Sequence, residues 1–512
     1  MQVLARVLVY SLLTGLAACA QLPPLPELPT EHAIAPGADS PLDRAIAPLE
    51  AEHASESAFR LLIEGPEAFA ARARSAQMAE RTLDVQTYIW HADLTGRFFA
   101  HELLLAADRG VRVRLLVDDL DARAKSTRFA ALAAHPNIQV RLFNPFTSRS
   151  GTLRYLSDGL RSFKRINRRM HNKSWIADNR IAIVGGRNLG DEYFGASDTV
   201  NFLDLDFAMI GPIVRDASVA FDAYWNSPFA YPIDQLDPDA VDQAVLEKLR
   251  AELEARREAA ENSPYAALLR RDDAVQRMMS GDWPMQWSAT FRFVVDDPHK
   301  ITMQERDARR SAVGAALVPL LSAAAEDLTI ISPYFVPGKR GSQLLIDQAR
   351  AGARVRVLTN SLVANDVAAV HGGYSRYRKP LLQGGVQLWE LKPLQEGTPD
   401  RSLFGSSGAS LHTKALATDR KTIFVGSYNL DPRSTWLNCE QGVLVESAVL
   451  ATQLEAVFAQ QIAGDSAWHV TLEKGALRWA DDTDSFDTDP QAGLGRRFQA
   501  WLTRVLHLDA QL

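Results

Sequence analysis

The chain has 512 residues, 46% hydrophobic and 23% charged, an ordinary balance for folded globular protein and more length than one core usually supports. A net charge of −6 argues against a general electrostatic attraction to nucleic acid, though not against a local basic patch. With only two cysteines, Cys19 and Cys439, the chain can build neither a disulfide framework nor a cysteine zinc site.

Residues 1–18 carry one positive charge, Arg6, and then an apolar run from Val7 to Ala17. That run is short for a membrane span and suited to an export signal. It ends Leu16-Ala17-Ala18-Cys19, which resembles a bacterial lipobox, and this makes Cys19 the candidate lipidation site of a periplasm-facing lipoprotein. Ala20 follows, with no Asp to signal inner-membrane retention, so lipoprotein sorting favours the outer membrane. Residues 19–55 are rich in Pro and Ala and read as an extended tether.

A first domain is expected over residues 56–235. Helices are predicted over Ala58–Ile63, Glu67–Ala79 and Thr95–Arg109, and strands over Leu83–Trp90, Val111–Val117 and Asn137–Phe143. Strand, helix, strand implies right-handed crossovers and a mostly parallel sheet flanked by helices. The stretch Arg149–Lys173 holds six Arg and two Lys against the single acid Asp158. Because it runs into His171 and Lys173, it reads as a phosphate- and lipid-attracting lip, with Arg165, Arg168 and Arg169 nearest the motif. Short strands Ser174–Ala177 and Ile181–Val184 should flank a turn at Asp178-Asn179-Arg180, and Gly185-Gly186 should bend the chain to bring Asn188 back. A strand is predicted across Phe202–Pro212 and a helix over Val214–Asn226.

Residues 236–300 read as a charged helical insert, its helix Asp239–Glu261 lying on the surface and joining two halves. The second domain, 301–470, repeats the first. Leu328–Phe335 matches the strand starting at Leu83, Ala351–Leu358 matches Arg109–Leu116, and Thr422–Gly426 matches Ile181–Gly185. This is duplication of one α/β unit, and two such units are expected to meet about a pseudo-twofold axis with one shared cleft. The tail, 471–512, has apolar residues at helical spacing (Leu494, Phe498, Trp501, Leu502, Val505, Leu506) with Arg496, Arg497 and Arg504 between them. It is expected to pack on the domain, with a membrane-surface helix as the alternative.

Two strings carry the chemistry, His171-x-Lys173-x4-Asp178 and His412-x-Lys414-x4-Asp419, each followed after six residues by a small-residue turn ending in Asn188 or Asn429. A histidine can attack phosphorus or move a proton. A lysine two residues along a strand faces the same side and can neutralise a phosphate oxygen, and the asparagines can donate to the remaining oxygens. The histidines need carboxylates to orient them. Asp204 and Glu440 occupy equivalent places in the repeat, with Asp206 a competitor in the first half. Asp178 and Asp419, at turns, read as holding the motif in place.

These paired strings resemble those of the phospholipase D superfamily, over about residues 57–470. Asp191-Glu192-Tyr193-Phe194, Ile331–Gly338, and the run from Thr359 through His371 to Pro380 resemble the C-type bacterial cardiolipin synthases. The resemblance implies phosphatidyl transfer through a phosphohistidine, with phosphatidylglycerol as substrate and phosphatidylglycerol or phosphatidylethanolamine as partner lipid. It also implies His171 as nucleophile, His412 as acid/base, no cofactor and no metal. Hydrolysis of phospholipids to phosphatidic acid is the alternative, and a nuclease the more distant one, disfavoured by the tether and the acidic charge. The expected partners are phospholipids at a membrane surface, with no nucleic acid. A protein partner and the oligomeric state are not legible. His91, His101 and His371 read as ordinary packing or surface histidines, with a place near the cleft as the alternative for His371, which lies inside the synthase-like run.

Overall fold

The alternation of β1 (Ser57–Leu62) explains why it is a strand, not the helix its composition suggested. Phe59 and Leu61 face one core cluster while Ala58 and Leu62 face another, a period of two. The computed structural model describes residues 22–122, 125–147, 163–303, 311–365, 367–393 and 411–506. In its first half, β1 joins β2 (Thr82–Thr87), β3 (Arg112–Asp118), β4 (Ile138–Phe143), β5 (Ser174–Ala177), β6 (Ile181–Gly185), β7 (Asp206–Ile210), β8 (Ala230–Pro232) and β9 (Gln286–Ser288). Their order in the sheet is β8-β4-β3-β2-β5-β6-β7-β1-β9. The second half contributes β10 (Phe291–Val295), β11 (Asp327–Ile331), β12 (Arg354–Asn360), β13 (Gln387–Leu391), β14 (Ala415–Thr418), β15 (Thr422–Gly426), β16 (Gln441–Glu446), β17 (Ala467–Glu473), β18 (Ala476–Ala480) and β19 (Ser485–Phe486). They form a second sheet in the order β10-β16-β15-β14-β11-β12-β13-β17-β18-β19. The duplicated α/β fold is therefore present: β8-β4-β3-β2-β5-β6-β7-β1 corresponds to β17-β13-β12-β11-β14-β15-β16-β10, with β9 added to one sheet and β18 and β19 to the other.

The sheets are mixed, which corrects the mostly parallel expectation. Only β2-β3-β4 and β11-β12-β13 run parallel. The physical reason is the motif itself. The segment after each H-x-K pair folds straight back through a three-residue turn, with no helix to make a crossover, so β5, β6 and β7 add antiparallel. At each hairpin the first two of the three turn residues have positive φ, Asp178 and Asn179 in one half, Asp419 and Arg420 in the other. This is the primed turn that suits the twist of short strands.

One apolar cluster lies between the sheets and is shared by them. Phe59, Ile176, Val184 and Phe207 from the first half meet Ile331, Leu358, Ile423 and Val443 from the second, with the helices Pro212–Trp225 and Ala448–Gln461. The halves are thus joined through a common core, which holds their two motifs in register.

Several boundaries shift. Residues 22–52 are not a free tether: the helix Pro41–Glu52 starts in a Ser40/Asp43 capping box, and Asp43 is buried against Arg81 and Arg180. Upstream, backbone N–H groups of Glu31 and Ala33 donate to Asn226 and Asp222. The charged helix, Gln243–Ala260, does not join the halves. It buries Leu246, Leu249 and Leu253 against first-half residues. The rest of the insert is divided between the sheets, β9 pairing with β1 and β10 with β16. The second domain therefore begins near residue 290 and continues past 470 through β18 and β19.

The tail helix, Leu494–Leu506, buries its small face, Ala500 and Thr503, against the helix Ala368–Ser375. Gly372 is needed there, since a Cβ would lie 2.3 Å from the Ala500 carbonyl oxygen. Its large apolar face stays outside, with Leu494 86%, Phe498 59% and Trp501 49% exposed. Among the described residues no helix is long and apolar enough to cross a membrane. Cys19 with its signal, and residues 148–162 of the basic stretch, lie outside the described residues.

Candidate active site

Each H-x-K pair sits just before a strand, and its backbone is bridged to the other half. The His171 N–H donates to the Cys439 carbonyl at 2.8 Å and the Cys439 N–H to the Arg169 carbonyl at 2.9 Å. The mirror contact joins the His412 N–H to the Leu203 carbonyl at 2.8 Å. These bridges place each histidine beside the residue following its partner, which is Glu440 in one case and Asp204 in the other.

The carboxylates are therefore exchanged between halves. His171 Nδ1 lies 2.9 Å from Glu440 Oε2, and His412 Nδ1 lies 2.5 Å from Asp204 Oδ2. Glu440 and Asp204 each immediately precede or closely precede a strand, β16 and β7, where the sequence placed Asp204 inside one. Asp206, the competitor, is occupied elsewhere: its buried carboxylate pairs with Arg72 and Arg187. Room for Asp204 and Asp206 comes from the glycines of the turn after the first motif. A Cβ on Gly186 would fall 2.1 Å from Asp204 Oδ1, and one on Gly185 2.3 Å from Asp206 Oδ1. Neither glycine has a positive φ, so close approach, not a special bend, demands them.

The lysines fold back on their own motifs. Lys173 Nζ donates to the His171 carbonyl at 2.6 Å, and Lys414 Nζ to that of His412 at 2.5 Å. Gln441 Nε2 from the opposite half donates to the Lys173 carbonyl at 2.8 Å. Asn188 is bonded on both sides: its Oδ1 accepts from the Ile89 N–H at 3.2 Å and its Nδ2 donates to the Tyr193 hydroxyl at 2.9 Å. The Asn429 Oδ1 is buried with no partner among the described residues.

Asp178 and Asp419 occupy matching positions away from the histidines. The Asp178 carboxylate accepts from the N–H groups of Glu80, Arg81 and Thr82, and that of Asp419 from those of Ala325, Glu326 and Asp327. Both tie the hairpin turn to the start of the neighbouring parallel strand.

The basic lip requires correction. Arg169 is fully buried and forms a two-pronged pair with Asp118, Nε to Oδ1 at 2.8 Å and Nη2 to Oδ1 at 2.8 Å. Arg168 donates to the Ile301 carbonyl at 2.7 Å, and Arg165 to Asn144 and the Pro145 carbonyl. These three guanidiniums are spent on holding the segment that enters the motif. A run of basic residues cannot reveal which of them find buried acceptors. His371 pairs with Asp489 and Arg378 instead of any motif residue.

Aromatic residues that the sequence reading missed wall the site. The ring of Tyr88 stands edge-on to His171 at 5.1 Å with Lys173 Nζ 5.5 Å above it. Tyr193 is edge-on to His412 at 5.2 Å, and Phe202 stacks on it at 5.6 Å. Ser427, in the small-residue turn, donates its hydroxyl to Glu440 Oε2 at 2.5 Å. Tyr193 belongs to a quoted family-like string, so its signal was present; Tyr88 had none.

Burial dominates the electrostatics. It pushes His171 down to about 4, with the Glu440 charge opposing and Lys173 and Lys414 adding. His412 is pushed down to about 3 by burial and then by Lys414. Lys173 falls to about 7 for the same reason. Burial works against ionised Asp204, yet His412, Lys414 and Arg187 outweigh it and hold the carboxyl down at about 2. Glu440 is likewise held low, its charge favoured by His171 and Lys173. Each lysine acts on the opposite histidine, so the pairs form one electrostatic site. The resting state at neutral pH is two neutral imidazoles, each donating Nδ1–H to a carboxylate and each offering a free Nε2 lone pair. An anion entering beside Lys173 favours its charged form and raises both histidines.

This has a consequence for stability. The folded histidines titrate below their ordinary 6.5, so between about pH 4 and 6.5 the unfolded chain binds more protons. The histidines' contribution to stability is complete above pH 6.5 and falls as pH drops, by on the order of 1–2 kcal/mol per histidine at pH 5. Urea unfolding at pH 7.5 and pH 5 should show that loss, and it should shrink in a His171→Gln, His412→Gln double variant. An equal loss in the variant would assign it to other groups.

Among the described residues, two other clusters carry metal-type ligands, His91/Asp93/Glu192 and His371/Glu390/Asp489. The first is used in capping, Asp93 accepting from the N–H groups of Gly96 and Asp191. Arg378 sits inside the second. Neither contains a motif residue.

The family description "Cardiolipin synthase, PLD-like domain" matches residues 73–225 and 317–462. Cardiolipin synthase C of Escherichia coli (strain K12) is 42% identical over 445 residues, which cover 86% of this chain and 92% of that one. An uncharacterised protein of Helicobacter pylori (strain ATCC 700392 / 26695) is 32% identical over 435 residues, 84% of this chain and 83% of its own. Among solved structures, phosphatidylserine synthase of Haemophilus influenzae Rd KW20 superposes with a TM-score of 0.57 at 14% identity, covering 92% of this chain and 98% of that one, a likeness of fold.

Proposed function

We propose a function from one premise: the chain belongs to the phospholipase D superfamily, as a cardiolipin synthase-like member. It is read as a phosphatidyltransferase that makes cardiolipin from phosphatidylglycerol. The observation that carries this reading is the crossed pairing, in which each half completes the other's histidine and neither half holds a complete site.

In the first step Nε2 of His171 attacks the phosphorus of a phospholipid. The bond from phosphorus to the headgroup oxygen breaks, and His412, protonated once the anionic phosphodiester is bound, gives its proton to the leaving alkoxide. The phosphatidyl group is then on His171. A hydroxyl of a second phosphatidylglycerol passes its proton to His412 and attacks the same phosphorus, releasing His171. When phosphatidylglycerol is the donor, the products are cardiolipin and glycerol; when it is phosphatidylethanolamine, they are cardiolipin and ethanolamine. Lys173 and Lys414 neutralise the non-bridging oxygens, and Asn429 has the freer amide of the two asparagines for the same task. Glu440 and Asp204 fix the tautomers, and Asp178 and Asp419 keep the hairpins in place.

Lipid analysis after incubating the purified protein with phosphatidylglycerol, alone and with phosphatidylethanolamine, tests the reading. Cardiolipin is the expected product. Phosphatidic acid without cardiolipin would make the protein a hydrolase, and cleavage of DNA with neither lipid product a nuclease.

The membrane location extends the reading. Acylation of Cys19 would anchor the protein facing the periplasm, on the outer membrane by the sorting argument, and the exposed face of the helix Leu494–Leu506 supports seating on lipid. Fractionation of cells making the Cys19→Ser protein should find it shifted from membranes to the soluble pool; unchanged partitioning would remove the anchor.

A further inference from the structure

The two halves carry the same groove, and only one of them is filled. In each half it lies between the helix before the first parallel strand, the helix after it, and the turn that follows the motif asparagine. Matching backbone bridges fix the equivalence, Trp90 with Leu189 and Phe335 with Leu430. The His91 N–H donates to the Leu189 carbonyl at 2.7 Å and the Val336 N–H to that of Leu430 at 2.8 Å.

In the first half the groove is packed with rings. Phe69 on the helix Gly65–Met78 meets Phe98 and Phe99 of the helix Leu94–Asp108, each at 5.0 Å, and Phe194 at 5.8 Å. Tyr265, from the helix Pro264–Leu269 of the insert, lies across them at 5.5 Å from Phe69 and donates its hydroxyl to the Phe194 carbonyl at 2.9 Å. In the second half the corresponding helix, Ala312–Ala323, presents Gly314 and Ala315, and Thr435 stands where the first half has Phe194. The result is a cavity of about 600 Å³, within the range of small-molecule sites. Leu317, Leu321, Phe335, Leu344, Leu430 and Trp436 line it.

Its chemistry selects an amphiphile. Lys339 and Arg340, at the start of the helix Gly338–Ala351, are exposed at its edge and have no ion-pair partner among the described residues. The acid in the wall, Asp431, accepts from the Ser434 N–H, and burial pushes it up to about 7, so it carries only part of a negative charge at neutral pH. The wall formed by Tyr428, Leu430 and Asp431 is the turn that carries Asn429. One residue before Tyr428, the Ser427 carbonyl lies 3.0 Å from His171 Nδ1. An apolar interior, cations at the mouth and a wall shared with the site fit an anionic lipid better than a neutral or peptide ligand.

We propose that this second-half cavity takes an acyl chain of an anionic phospholipid substrate, with Lys339 and Arg340 facing the charged interface at its mouth. The proposal rests on the reading of the paired motifs as a phosphatidyl-transferring site. It makes the duplication asymmetric in use: both halves supply chemistry, and only the second holds a lipid tail.

The test uses the full-length protein and vesicles of phosphatidylglycerol, with or without bromine on the acyl chains. In the wild type, brominated chains should quench a component of tryptophan fluorescence that Trp436→Phe removes. Ala315→Phe, placed on the exposed rim to fill the cavity, should abolish that component. It should also lower kcat/KM for long-chain phosphatidylglycerol by about tenfold or more while leaving a short-chain analogue unchanged. Quenching that is identical in Trp436→Phe, or that persists in Ala315→Phe, would overturn the proposal. So would an equal fall for both chain lengths, which would mark a general structural effect, and so would an absence of Trp436 quenching, which would leave the cavity to a non-lipid occupant. Should the wild type produce neither cardiolipin nor phosphatidic acid, the catalytic reading fails, and the quenching comparison still decides the cavity.

Discussion

Replacing His171 by alanine is expected to reduce phosphatidyl transfer at least about 10⁴-fold and to abolish any covalent phospho-adduct. The size follows from the loss of a whole reaction route. Without the Nε2 lone pair there is no intermediate to divide one difficult displacement into two easier ones. His171 is held ready for this role, since burial keeps it neutral and the Glu440 carboxylate holds its Nδ1 proton. His412→Ala should be slow for a different reason, the missing proton for the leaving alkoxide, and a lipid with an acidic leaving group should restore part of the first step. Acid-quenched protein incubated with phosphorus-labelled lipid distinguishes the two. An adduct still formed by His171→Ala would exchange the roles of the histidines.

Glu440→Gln is expected to lower kcat roughly 10³- to 10⁴-fold with little change in KM. The carboxylate accepts the Nδ1 proton, which leaves Nε2 unprotonated. A glutamine can turn its NH₂ towards Nδ1 instead, which places the proton on Nε2 and blocks attack. The substitution also leaves Ser427, which donates to the same oxygen, to compete for the remaining amide oxygen. Asp204→Asn should act in the same way on His412. Because each pair crosses between halves, a Glu440 variant should behave kinetically like a His171 variant, although the two residues are 269 apart in sequence. A double-mutant cycle measures this. If Glu440→Gln and His171→Ala combine additively in kcat, the carboxylate does not act through that histidine.

The repeat was legible because the same local problem is solved twice. Each half must turn its hairpin at an aspartate that tolerates positive φ and must set a small residue beside a buried carboxylate, Gly186 against Asp204 and Ser427 against Glu440, and both demands are written in short, fixed spacing. Strand order followed for the parallel strands, whose crossover helices have a clear period. It failed for β1, where a short run of mixed small and apolar residues fits helix or strand until β7 lies beside it. It also failed for the helix Pro41–Glu52, whose Pro-rich setting hides a capping box and a buried aspartate. The arginines show the limit most directly. Arg165, Arg168 and Arg169 read as a surface charge run, yet Arg169 is completed by Asp118, 51 residues earlier, and only the fold could bring them together.

By itself the sequence determined the duplication, the two H-x-K pairs, the equivalence of Asp204 with Glu440, and the chemistry those residue types can perform. These are properties of spacing and side-chain type, and neither depends on what lies across the core. The tertiary structure alone decided which carboxylate serves which histidine, because that depends on the bridges between Met170 and Cys439 and between Leu203 and Leu411. It also decided which of two equivalent grooves is open, since the plug, Tyr265, comes from the helical part of the insert, which packs on the first half. Contacts between distant segments are set by how the two sheets share one apolar core, and no local pattern in either half encodes that arrangement.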